Sequence, residues 1–134
     1  MFEVREYKIE DYERVRRIIK DNFDDDKVKD ISSPVSKEYV CTLDGLVVGY
    51  YVLTRIKNLV RGFDYYLVDY VCTDVDYQGM GVASRMMEHL LSLVDKDIAY
   101  VQLTCSNKRG CAKHLYEKYG FEVYDTNVFR RYSV

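Results

Sequence analysis

The stretch from Tyr65 to Thr104 limits the available folds more than any other. It opens with a strongly apolar run, YYLVDYVCT (Tyr65–Thr73), passes through two glycines one residue apart, Gly79 and Gly81, and enters a helical pattern. Ala83, Met86, Met87, Leu90, Leu91 and Val94 recur at i, i+3, i+4, i+7, i+8 and i+11, the stripe of an amphipathic helix. A second strand pattern follows over Ile98–Thr104. Strand, helix and strand with no hairpin turn between them demand a parallel pair joined by a right-handed crossover.

The remaining elements fit around that unit. Phe2–Tyr7 reads as a first strand, and Tyr12, Val15, Ile18, Ile19 and Phe23 mark one face of a helix with Asp11 as a candidate cap. Asp24–Ser36, with the acidic triplet Asp24–Asp26 and the single proline, Pro34, reads as a loop with room for a short helix. Glu38–Leu43 and Val47–Ile56 are strands joined by Asp44-Gly45, a hairpin signal. A last helix near Arg109–Tyr119 stops at Gly120, and Phe121–Tyr124 and Val128–Tyr132 read as closing strands. With 134 residues and no Gly/Ser linker, the expectation is one mixed α/β domain over residues 1–134.

The glycine turn carries the first chemical signal. At a strand-to-helix junction several backbone N–H groups have no intrahelical acceptor, and the helix dipole favours an anion there. Glycines remove the side chains that would keep a phosphate from those amides. The turn therefore reads as a phosphate cradle around Gly79, Met80, Gly81, Val82 and Ala83, with a tight turn that binds nothing as the alternative. A P-loop would need Gly-Lys-Ser/Thr where this chain has Gly81-Val82-Ala83. A dinucleotide fingerprint would need a third glycine at Ser84 and an acid closing the next strand, which ends Leu103-Thr104-Cys105.

Gln78-Gly79-Met80-Gly81-Val82-Ala83 resembles the Q/R-x-x-G-x-G/A signature of the GNAT superfamily of acyl-CoA-dependent N-acyltransferases. A second segment, SNKRGCAKHLYEKYGFE, is similar to that family's later motif at Asn107, Ala112, Leu115, Tyr116, Gly120 and Phe121. The resemblance implies a central, mainly antiparallel sheet whose one parallel pair splays apart. It implies acetyl-CoA as cosubstrate and no metal. The pantetheine arm would meet the backbone of Val71, Cys72 and Thr73, and the pyrophosphate would meet the turn from Gln78 through Ser84, with Asn107 close by. Arg85, Lys108 and Arg109 could reach the phosphates.

Acyl transfer to an amine needs a neutral amine and a proton for the departing thiolate. The family places a tyrosine donor at the position of Tyr116, which otherwise reads as a core aromatic of the last helix. Some relatives carry a glutamate base five residues before Asn107, where this chain has Gln102. Asp69, the one acid inside the apolar run Tyr65–Thr73, is the candidate base, sharing a strand face with Leu67, Val71 and Thr73 by simple alternation. A salt-bridged or solvent-facing aspartate at a bulge, or a water relay, are the alternatives. Cys105 could be read as a nucleophile, but a buried thiol is the plainer reading, and all four cysteines are expected reduced. His89 and His114 are expected to face solvent.

Composition bounds the partners. The formal net charge is −2, so nucleic acid is not expected, and no apolar run approaches the roughly 20 residues that span a bilayer. The opening MFEVREYKIEDY is mixed and charged, so no secretory signal is expected there and a cytoplasmic setting is. The expected partners are an amine substrate, free or on a protein, and optionally a second copy of the chain. An inactive module that keeps only the cofactor site is the competing class.

Overall fold

The computed structural model describes residues 1–25, 31–105 and 112–133. Among these residues five strands form one sheet in chain order: β1 (Phe2–Glu6), β2 (Ser36–Leu43), β3 (Leu46–Lys57), β4 (Asp64–Thr73) and β5 (Ile98–Leu103). The first four are antiparallel neighbours, and β4 and β5 are parallel, joined through a helix as the strand–helix–strand pattern requires. The β2–β3 turn is Asp44-Gly45, both with positive φ (50° and 89°), which suits the twist of a two-residue hairpin.

Helices cover both faces. The first, α1 (Tyr12–Phe23), buries Val15, Ile18 and Ile19 against Val40, Val47, Tyr50 and Cys72 on one side of the sheet. The second, α2 (Val82–Ser92), buries Val82, Met86, Met87 and Leu90 against Cys41, Val48, Tyr51, Leu53 and Val68 on the other. The short α3 (Lys113–Lys118) joins the α2 side through Leu115, Tyr116 and Tyr119. Gly49, inside β3, lets α2 sit close. A Cβ there would lie 2.7 Å from Val82 Cγ1 and 3.0 Å from Met86 Sδ.

Asp11 does not cap α1 with its side chain. It is buried, accepts two hydrogen bonds from Arg5 (2.8 and 3.0 Å), and accepts the Lys8 N–H at 2.8 Å. Burial opposes its charge, but the Arg5 and Lys8 bonds outweigh it and hold the carboxyl below its ordinary range.

The closing segments differ from expectation. Among the described residues, none after Lys118 is in a strand. Phe121 packs against the α2-side core, but Val123, Tyr124, Val128, Phe129 and Tyr132 are all exposed. Strand-like composition without a partner ladder leaves the backbone to water, and β-propensity alone does not form a strand. The start of the expected last helix, from Arg109 to Cys111, lies outside the described residues, as do Asp26 and Asn107.

Candidate active site

The parallel pair is hydrogen-bonded over only part of its length. Its register runs Asp64–Ile98, Tyr66–Val101, Leu67–Gln102 and Val68–Leu103, and no further partner follows among the described residues. Beyond Val68, β4 continues for five residues, Asp69–Thr73, against β3 alone. At the same point the β3–β4 ladder carries a bulge. Tyr50 pairs with Cys72 and Val52 with Asp69, so Tyr70 and Val71 together oppose Tyr51. Tyr70 sits at φ 57°, a left-handed conformation that bulky residues rarely adopt.

The bulge reverses the order of faces. Residues opposite each other in a ladder share a face, so Asp69 lies on the α1 side with its partner Val52. Val71 packs on the α2 side, and Thr73 lies opposite Gly49, whose missing Cβ faces α2. Asp69 therefore does not share a face with Val71 and Thr73, as alternation without a bulge had required. It is also exposed, so its carboxyl needs no buried partner.

The bulged half of β4 is fastened at its far end. Asn22 Nδ2 donates to the Thr73 carbonyl at 2.9 Å, and Arg14 donates to the Val47 carbonyl at 2.8 Å and to the buried Asp74 carboxylate. Asp74 also accepts the Asp76 N–H at 2.9 Å, which starts the turn. The Asp74 N–H donates to Val48 O, so ladder alternation turns the Cys72 amide to β3 and the Thr73 amide to the open side. The Cys72 thiol is buried on the α1 side, where burial pushes its pKa to about 12.

The turn then exposes its amides. Gln78, Gly79, Met80 and Gly81 are all exposed, and Gly79 and Gly81 have φ of 80° and 81°. Nothing lies within 4 Å of where a Cβ would stand on either glycine. Among the described residues, no N–H from Gly79 through Ala83 donates to a backbone carbonyl. Gly81 is the N-cap of α2, Val82 is buried beneath it, and Ala83 and Ser84 continue the first turn. The Tyr119 hydroxyl reaches back to α2, donating to Glu88 Oε1 at 3.1 Å. A phosphate-bearing ligand fits such a turn, because bare amides at a helix start attract anions.

Tyr116, half-buried on α3, lies on the α2 side with its ring edge-on to Phe121 at 6.0 Å. Burial raises its pKa, so the hydroxyl keeps its proton under neutral and mildly alkaline conditions. Arg85 is exposed and stacks over the Phe2 ring at 4.1 Å. Lys108 and Arg109, like Asn107, lie outside the described residues.

Other residues differ from the sequence reading. Cys105 is exposed and disulfide-bonded, so it is neither the buried reduced thiol expected nor a free nucleophile; Cys41 and Cys72 are free and buried. His114 is exposed as expected, but His89 is half-buried. Its Nδ1 lies 2.8 Å from the Tyr51 hydroxyl, its ring lies 5.0 Å from Tyr39, and burial lowers its pKa. Sequence reasoning also passed over Gly49, Tyr70, Arg14 and Asn22. A lone glycine in a strand pattern was the available signal for Gly49, whereas nothing local marks Tyr70.

A split parallel pair beside a glycine turn at a helix start defines the class of fold, and comparison with known proteins agrees. The family described as acetyltransferase (GNAT) domain matches residues 35–123, and the chain belongs to that family. The L-amino acid N-acetyltransferase AaaT of Escherichia coli (strain K12) is 29% identical over 96 residues, covering 69% of this chain and 57% of that protein. A transcriptional regulator from Bacillus halodurans C-125 superposes with a TM-score of 0.87 at 17% identity, covering 98% of this chain and 100% of that one. A predicted acetyltransferase with acetyl-CoA from Clostridium acetobutylicum superposes with a TM-score of 0.72 at 15% identity, covering 98% and 96%. At such identities the two structures speak for the fold alone. No helix among the described residues is long and apolar enough to cross a membrane.

Proposed function

We propose that this chain is an acetyl-CoA-dependent N-acetyltransferase that acetylates a primary amine of a small molecule by direct transfer in a ternary complex. One observation carries the reading: β4 loses its β5 neighbour after Val68, and the strand so exposed leads straight into the bare amides of the Gly79–Ala83 turn. The amide-rich pantetheine arm can add to the open strand side at Val71 and Thr73 in the manner of strand addition, and the pyrophosphate can sit on the turn. Kinship to a protein named as an L-amino acid N-acetyltransferase supports a free amino acid or similar small amine as acceptor.

Acetyl-CoA would supply an acetyl group activated as a thioester. The chain's part is to hold it, admit the amine and move the protons. An alkyl ammonium has a pKa of about 10.4, so the amine must shed a proton before its nitrogen can attack. Asp69, exposed beside the split, offers carboxylate oxygens for that proton, directly or through water. As the N–C bond forms and the C–S bond breaks, Tyr116 Oη can give its proton to the departing sulfur, and the second proton that the nitrogen sheds on becoming an amide can return through water to restore the Tyr116 hydroxyl. Its raised pKa keeps that proton in place beforehand.

The test is calorimetry with acetyl-CoA, followed by turnover on an amine panel read as free thiol released and acetylated product by mass. Binding with turnover supports the proposal. Binding without turnover of any amine points to the cofactor-binding module instead, and no binding removes the cofactor site altogether.

A further inference from the structure

Three described residues other than glycine have positive φ: Asp24, Asp44 and Tyr70. Asp24 closes α1 and Asp44 makes the hairpin turn, places where aspartate is tolerated. Tyr70 stands in a strand, where a glycine would adopt the same backbone without strain. Strain held at one residue of a candidate site points to a use for its side chain.

The ring of Tyr70 packs edge-on against Phe23, with centroids 5.1 Å apart and planes at 77°. Phe23 is the last residue of α1, and the Asn22–Thr73 bond ties that end of the helix to the bulged half of β4. The two rings therefore stand on the α1 side, two residues past the Val68–Leu103 pair where β5 leaves. Tyr70 keeps 44% of its surface exposed. Val71 and Tyr116 belong to the opposite, α2 side.

That division assigns the two substrates to two sides. The acyl donor takes the α2 side, along the glycine turn and Tyr116, so the amine must reach the thioester carbon from the α1 side. We infer that Tyr70, braced by Phe23, is a specificity-determining residue for the acceptor: an aromatic wall at the α1-side mouth of the split that selects amines bearing an apolar group near the reacting nitrogen over small polar amines. The inference rests on the acetyltransferase reading above.

The test compares 2-phenylethylamine with ethanolamine, and leucine with serine, for wild type, Tyr70→Gly and Tyr70→Phe. Glycine suits the backbone at this position, so Tyr70→Gly keeps the bulge while removing the ring, and an unchanged or raised Tm verifies the fold. Wild type is expected to prefer the apolar member of at least one pair by roughly 10-fold or more in kcat/KM, the scale of an apolar contact in a pocket. Tyr70→Gly should erase most of that preference through acceptor KM, with acetyl-CoA affinity unchanged, and Tyr70→Phe should retain it. A wild type without the preference, or a Tyr70→Gly enzyme that keeps it, overturns the inference while the acetyltransferase reading stands. A wild type that fails to bind acetyl-CoA in calorimetry overturns both.

Discussion

The two halves of β4 read alike and behave differently. Asp64–Val68 has a neighbour on each side, β3 and β5, whereas among the described residues Asp69–Thr73 has β3 alone. Both halves open on an aspartate followed by tyrosine and carry a valine (DYYLV and DYVCT), so composition does not separate them. What separates them is one extra residue. The bulge at Tyr70–Val71 falls just past the last β5 partner and swaps the faces of everything after it. The paired half spends its backbone groups on stability. Among the described residues the bulged half has no strand partner on one side, and backbone groups without a ladder partner in a partly buried place call for a ligand. A fault in the ladder is thus what turns a structural strand into a candidate site.

The comparison breaks most sharply if chemistry survives without Tyr116. Tyr116→Phe should lower turnover by roughly 10²–10⁴-fold, the range of general acid catalysis, with little change in acetyl-CoA affinity. Turnover within about threefold of wild type at every pH would move the proton donor elsewhere. Next in size is the turn. Gly81→Gln places a side chain over the amides and forces a residue at φ 81° into a conformation that costs about 1–2 kcal/mol. Acetyl-CoA affinity should fall roughly 10-fold by calorimetry, and unchanged affinity in a folded variant would remove the turn from the site.

The paired half should answer in the opposite currency. Val68 is 2% exposed, and Val68→Ala should lower unfolding free energy by about 2 kcal/mol while leaving turnover per folded molecule near wild type. If its turnover falls as steeply as that of Tyr116→Phe, the two halves are not functionally distinct. Asp69→Asn sharpens the bulged half further. As a base, Asp69 matters most where the amine arrives protonated, so the variant should lose roughly 10-fold near pH 6 and recover as pH rises toward the amine pKa. A vertical offset parallel to wild type across the whole pH–rate profile would end the base assignment.

The smallest effect lies away from the split and guards the interpretation of the others. The folded pKa of Asp11 is lowered, so its contribution is fully present above the unfolded value of about 3.9 and is lost as pH falls through the folded value. Asp11→Asn should therefore cost about 1–2 kcal/mol at pH 7, less than a fully buried pair because Arg5 is partly exposed, and the difference should vanish in strong acid. Urea melts from pH 2 to 7 read this directly. A cost independent of pH would mean that packing, not charge, is what Asp11 supplies. It also separates acid unfolding from any acid limb of catalysis.

Local pattern settled much of this protein. The period of Ala83 through Val94 required α2, Asp44-Gly45 required the hairpin, and the absence of a hairpin turn before Ile98 required a parallel β4–β5 pair. The two glycines and the motif around Tyr116 pointed to the candidate site because they act through neighbours in the chain: a left-handed turn, helix-start amides and a helix face. Tertiary structure decided what depends on distant partners. Whether Asp69 faces Val71 turned on a bulge set by β3 pairing, which strand alternation does not register. Whether Phe121–Tyr132 becomes strand turned on a ladder partner that composition does not supply. His89 became half-buried because Tyr39 and Tyr51, 50 and 38 residues away in sequence, stand beneath it. The strained Tyr70, the residue that divides the strand, is ordinary in sequence. Only the register of β4 against β3, and the end of α1 locked beside it, make it exceptional.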